Sequence, residues 1–112
     1  MLIFNTTIMS NYIIAYHGGK KFENPEEEAK HMAKFQAWVG SLGDAVVNPG
    51  TPLGKSKTVS SSSVSDGGRL NPLKGYSIVK AESMDAALEM AKRCPHLDIG
   101  TVEVAEVMEM RM

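Results

Sequence analysis

Two residues stand out for the chemistry they could do, His31 and Asp66. An imidazole titrates near neutral pH, so a histidine in a pocket can take or deliver a proton without a metal. His31 lies four residues before Phe35 and seven before Trp38, which puts the three on one helical face. An imidazole there sits where an apolar wall ends, within reach of a carboxylate from a neighbouring loop. The structural alternative is a boundary histidine hydrogen-bonded to that loop. Asp66 precedes Gly67 and Gly68, the residues of a tight turn, in which aspartate also caps its own backbone. A loop carboxylate paired with His31 would hold one ring nitrogen and leave the other free for substrate.

The other polar candidates are weaker. His17 ends an apolar run before Gly18-Gly19, at a pocket mouth or simply at the surface. Tyr12, Tyr16 and Tyr76 lie in strand-like stretches and could offer hydroxyls to a small ligand, although packing in the core is the commoner fate of such residues. His96 follows Pro95 in a loop and offers no better case. Cys94, the single cysteine, reads as a small buried residue, since no base adjoins it in sequence. Three scattered histidines without a cysteine cluster make no metal site. His17-Gly18-Gly19-Lys20-Lys21 is not a phosphate-binding fingerprint. No cofactor is expected.

These residues need elements to hold them. Tyr12-Ile13-Ile14-Ala15-Tyr16-His17 is a β-branched and aromatic run closed by two glycines, hence a strand. Asn24-Pro25-Glu26-Glu27-Glu28 opens a helix with a cap, a proline at the first position and three carboxylates at the positive end of the dipole. Ala29, Met32, Phe35, Val39 and Leu42 then form its expected apolar stripe, which Gly43 ends. Ala45-Val46-Val47 is a short strand, broken by Asn48-Pro49-Gly50. Residues 51–71 are rich in Gly, Ser and Pro, either a flexible loop or a hairpin over residues 55–64. Residues 75–81 form a strand. Ser83 caps a second helix reaching Arg93, with Met84, Leu88 and Ala91 facing inward, and Pro95 prevents its continuation. Residues 101–107 alternate at period two, a half-buried strand.

The order β-α-β, loop, β-α-β predicts an α+β fold, a ferredoxin-like β-α-β-β-α-β sandwich with an antiparallel sheet and both helices on one face. The first and third strands are apolar at most positions, so both sheet faces need cover, and two helices cover one. A second copy of the chain is the simplest cover for the other, which predicts a homodimer.

Composition restricts the partners. The 112 residues carry 12 basic and 13 acidic side chains, a net charge of −1. No basic stripe gathers, so nucleic acid is not an expected partner. Met1-Leu2-Ile3-Phe4 is apolar but too short for a signal peptide or a membrane span. Residues 1–10 read as an N-terminal extension and residues 11–112 as one domain. One thiol and no span fit a cytoplasmic protein without membrane partners.

Four stretches in this order resemble the YCII-related family, including its DGPF branch, across residues 12–107. They are His31-Met32-Ala33-Lys34-Phe35; Leu42-Gly43 through Pro49-Gly50-Thr51-Pro52-Leu53; Val64-Ser65-Asp66-Gly67-Gly68 through Gly75-Tyr76-Ser77-Ile78; and Ala91-Lys92-Arg93-Cys94-Pro95 through Gly100-Thr101-Val102-Glu103-Val104. The chain has Gly67-Gly68-Arg69-Leu70 where the DGPF branch has Gly-Pro-Phe. The resemblance implies a dimeric α/β barrel, in which two ferredoxin-like sheets pack face to face. It also implies a His–Asp pair at His31 and Asp66, and kinship with lyases and dehalogenating enzymes of ring compounds. Some members are associated with sigma-factor regulation.

Two functions follow. One is a cofactor-free small-molecule enzyme of the lyase or isomerase type, using His31 and Asp66 as an acid–base pair, with Tyr12, Tyr16, His17 and Tyr76 as candidate ligand contacts. The other is a non-catalytic dimeric module that binds a small ligand or serves regulation on the same scaffold.

Overall fold

A computed structural model describes residues 8–67 and 71–109. Most of the expected N-terminal extension, and Gly68, Arg69 and Leu70, lie outside the described residues. The elements are β1 (Ser10–Gly18), α1 (Pro25–Leu42), β2 (Val46–Pro52), β3 (Lys57–Val59), β4 (Val64–Asp66), β5 (Leu73–Ala81), α2 (Met84–Ala91) and β6 (Gly100–Glu106). Four strands form one sheet in the order β2-β5-β1-β6, with every neighbouring pair antiparallel. With β5 inserted between β1 and β2, this is the split β-α-β arrangement of a ferredoxin-like sandwich, and the fold class expected from the element order is the one observed.

Local chemistry explains the helix starts. The Asn24 side-chain oxygen accepts from the Glu27 backbone N–H at 2.9 Å, and the Ser83 hydroxyl accepts from the Ala86 N–H at 3.1 Å. Both are side-chain caps on otherwise unpaired first-turn donors.

Alternation along β1 sends Tyr12, Ile14 and Tyr16 toward the helices. They join Val79 and Ala81 of β5, Trp38 of α1, Ala87 and Ala91 of α2, and Cys94 in one core. The Trp38 indole N–H donates to the Met90 carbonyl at 3.0 Å and ties the two helices together.

The expected inward stripes need correction. On α1, Ala29 and Met32 are exposed, and the packed face is Phe35, Trp38, Val39 and Leu42. The large indole, bonded to α2, sets the rotation of the helix. On α2, Met84 and Leu88 lie outward, while Ala87 and Ala91 face the sheet. Two methyl groups let this short helix approach the strands closely, which longer side chains would prevent.

The expected break at Asn48-Pro49-Gly50 is absent: β2 runs through it with two register shifts against β5. Asn48 bridges the irregularity, accepting from the Gly50 N–H at 2.9 Å and donating to the Thr51 hydroxyl at 3.0 Å. Gly50 has φ 158° beside the Phe35 ring. The segment between β2 and β5 contains the hairpin alternative, β3 paired with β4 across the serine turn, exposed on both faces.

Candidate functional site

The fold leaves a pocket of about 280 Å³ where the first half of α1, the irregular stretch of β2, the start of β5 and the turn at Pro95–Asp98 meet. Helix α1 supplies His31, Met32 and Phe35; β2 supplies Gly50, Thr51 and Pro52; β5 supplies Lys74 and Gly75; Tyr16 and His96 close it from β1 and the turn. Apolar walls with a few converging polar groups are what a small-molecule site requires. A larger hollow of about 510 Å³ lies beside Lys34, Ser41, Lys92 and Arg93. It is shallow, and its lysines are already engaged, Lys34 near Asp98 at 3.8 Å and Lys92 with Glu89 at 3.0 Å.

His31 therefore stands in a pocket wall, with its ring against Phe22 at a centroid separation of 5.1 Å. Partial burial lowers its pKa from the ordinary value of 6.5, and the neighbouring His96 and Lys34 lower it further, opposed by Asp98. A lowered pKa leaves the imidazole neutral at pH 7, the form that accepts a proton.

A directed hydrogen-bond chain fixes the Tyr16 edge. The Ser77 hydroxyl donates to the Pro49 carbonyl at 3.0 Å, so its single hydrogen is engaged there. The 2.5 Å contact between Tyr16 and Ser77 must then run from the phenol to the serine oxygen. Burial raises the Tyr16 pKa, so the phenol keeps its proton. Cys94 is raised to about 11, again chiefly by burial, and stays a thiol at neutral pH.

The structure does not bring His31 and Asp66 together within the chain. Asp66 closes the exposed hairpin, pairs with Lys57, and lines a separate hollow with Leu53, Ser56 and Pro72. Cross-strand pairing of Lys57 with Asp66 holds the carboxylate in place. Lys74 borders both hollows.

Among the tyrosines, Tyr16 reaches the pocket, whereas Tyr12 is enclosed in the core. Neither faces the open side of the sheet, because strand alternation turns both toward the helices. Tyr76 is on that open side, half-buried, directly opposite Ala15. His17 is also on the open side, where its Nε2 lies 3.1 Å from a Glu103 carboxylate oxygen. Its backbone carbonyl contributes elsewhere, as partner of His96 Nε2 at 2.9 Å. His96, Thr51 and Lys74 are pocket residues that the sequence did not single out. No local pattern marks them, since the contacts that matter come from distant strands.

A model of the YCII-related domain matches residues 9–111. The chain belongs to the YCII-related family. No curated protein matches the sequence. Among solved structures, the chain is similar to 5-chloro-2-hydroxyhydroquinone dehydrochlorinase from Burkholderia phenoliruptrix AC1100, determined in complex with 2,5-dihydroxybenzoquinone. The TM-score is 0.54 over 89% of this chain and 95% of that one, at 14% identity. At that identity the likeness speaks for the fold alone, an α+β sandwich.

Proposed function

We propose that this YCII-related chain is a small-molecule enzyme of the lyase or isomerase type, acting on a ring-sized substrate with His31 as its proton acceptor. The observation that carries it is His31 in the wall of a pocket whose apolar sides are Phe35, Met32, Pro52 and Tyr16, where burial lowers the imidazole pKa. A bound ring would pack on these side chains while His31 removes a proton. In an elimination, the electron pair left behind expels the leaving group on the neighbouring carbon. The Lys74 ammonium at the pocket edge would oppose negative charge gathering on a ring oxygen. A protein of the same fold is a dehydrochlorinase bound to a dihydroxyquinone, which supports the substrate size and reaction type.

Asp66 joins this reading through the hairpin. Its hollow adjoins the pocket across Lys74, so a hairpin closing over a bound ring would carry the carboxylate toward His31. The working form is a homodimer joined through the open sheet face. There Ile78, Ile13 and Ala105 form one cross-strand row, and Tyr76, Ala15 and Glu103 the next. Among the described residues, no helix covers these rows.

Titration with 2,5-dihydroxybenzoquinone, followed by its absorbance, tests the site. The wild type should bind, and His31→Ala should weaken binding with the fold intact. Equal binding by both proteins would remove His31 from the site, and a wild type that binds no hydroxylated ring would overturn the function.

A further inference from the structure

His96 is only 8% exposed. Nε2 lies 2.9 Å from the His17 carbonyl oxygen. A carbonyl oxygen can only accept, so Nε2 carries the hydrogen, and in the neutral ring Nδ1 holds the lone pair. Nδ1 has no hydrogen-bond partner among the described residues, although no fully buried side-chain nitrogen or oxygen among them lacks one. Nδ1 therefore keeps some accessible surface, and His96 lines the pocket of His31 and Tyr16.

Gly100 makes room for this ring, while Gly19 stands in ordinary contact with it. A Cβ at Gly100 would lie 2.7 Å from His96 Nε2, and one at Gly19 would lie 3.9 Å from His96 Cε1. The Tyr16 ring lies against the imidazole at a centroid distance of 5.3 Å. The ring is thus held on several sides, with its tautomer set by a backbone carbonyl.

We infer that His96 is a second substrate-facing proton acceptor of this pocket, and that the ligand is a ring carrying two hydroxyl groups, one for each imidazole. The inference rests on the function proposed above. A hydroxyl of the bound ring donates to Nδ1. When its proton crosses, the electron pair stays on the ring oxygen, and the imidazolium keeps its Nε2–H bond to His17. Two imidazoles lining one largely apolar pocket match two donors on one flat molecule, and a monohydroxylated ring would leave one acceptor without a partner.

His96→Gln separates this role from a purely structural one. A glutamine amide can still donate to the His17 carbonyl, but it brings no imidazole lone pair to the pocket. The probe is hydroquinone, titrated calorimetrically without oxygen into wild type, His96→Gln and His31→Ala. The wild type should bind, and His96→Gln, whose amide oxygen accepts only weakly and cannot take up a proton, should weaken binding about threefold to tenfold. In the wild type, the imidazole 15N spectrum should show Nε2 protonated and the Nδ1 resonance moving when hydroquinone is added. Wild-type affinity in His96→Gln together with an unmoved Nδ1 resonance would overturn the inference, and a loss confined to His31→Ala would leave the proposed function standing. Failure of hydroquinone to bind the wild type would overturn both.

Discussion

The chain from Tyr16 through Ser77 to Pro49 predicts an asymmetric double-mutant cycle. Tyr16→Phe removes a donor and leaves Ser77 still bonded to the Pro49 carbonyl. One neutral hydrogen bond is lost and no donor is stranded, which should cost about 1 kcal/mol. Ser77→Ala is worse. It leaves a phenol O–H without its acceptor inside the core and the Pro49 carbonyl without its donor, at about 2–3 kcal/mol. Once Ser77 is alanine, removing the stranded phenol hydroxyl should be close to neutral, so the double variant should be about as stable as Ser77→Ala, or slightly better. Urea denaturation followed by Trp38 fluorescence reads all four proteins, and unchanged m-values would place the differences in stability. At about 4–6 °C per kcal/mol for a domain of this size, Ser77→Ala should also melt roughly 10 °C below wild type. Equal and additive costs for the two single changes would refute the direction assigned to the chain. They would also refute its role in holding the irregular stretch of β2 against the pocket.

Four further outcomes are expected. Light scattering at micromolar concentration should give roughly twice the chain mass of 12.1 kDa, and a stable monomer would refute burial of the open sheet face. The acid limb of the activity profile should lie below pH 6.5, because burial and then His96 lower the His31 pKa, and it should move partway back toward 6.5 in His96→Gln. The same shift makes the unfolded chain bind more protons between the folded pKa and 6.5, so the His31 contribution to stability is full above 6.5 and falls as pH drops through that window, as urea midpoints across pH can check. Asp66→Asn should leave stability unchanged, since its ion pair with Lys57 is exposed, while lowering turnover; unaltered turnover would exclude hairpin closure from the mechanism.

Much of the fold was legible because its signals are local. The Asn24-Pro25 start of α1, the Ser83 cap of α2 and the alternation along β6 are each decided within a few residues. Their order alone gives the ferredoxin-like topology. What failed was long-range. Asn48-Pro49-Gly50 reads as a strand break because proline and glycine weaken strands. In the structure the stretch is kept in β2 by an asparagine bridge and by Ser77, 28 residues later in the chain. The rotation of α1 follows from the contact of Trp38 with Met90, which no helical period encodes.

The site divides in the same way. His31 was visible because its neighbours, Phe35 and Trp38, share its helix. Asp66 is visible as turn chemistry, whereas in the structure it ends β4, with its carboxylate bound to Lys57. His96 reads as a loop residue because its meaning depends on a carbonyl 79 residues away and on the glycine at position 100. A side chain enclosed by distant backbone leaves almost no trace in its own neighbourhood. Such a residue is more constrained than the exposed hairpin aspartate, even though the aspartate has the stronger motif around it. Rigid placement favours a pocket-facing nitrogen, because an acceptor already oriented loses little entropy on meeting its ligand.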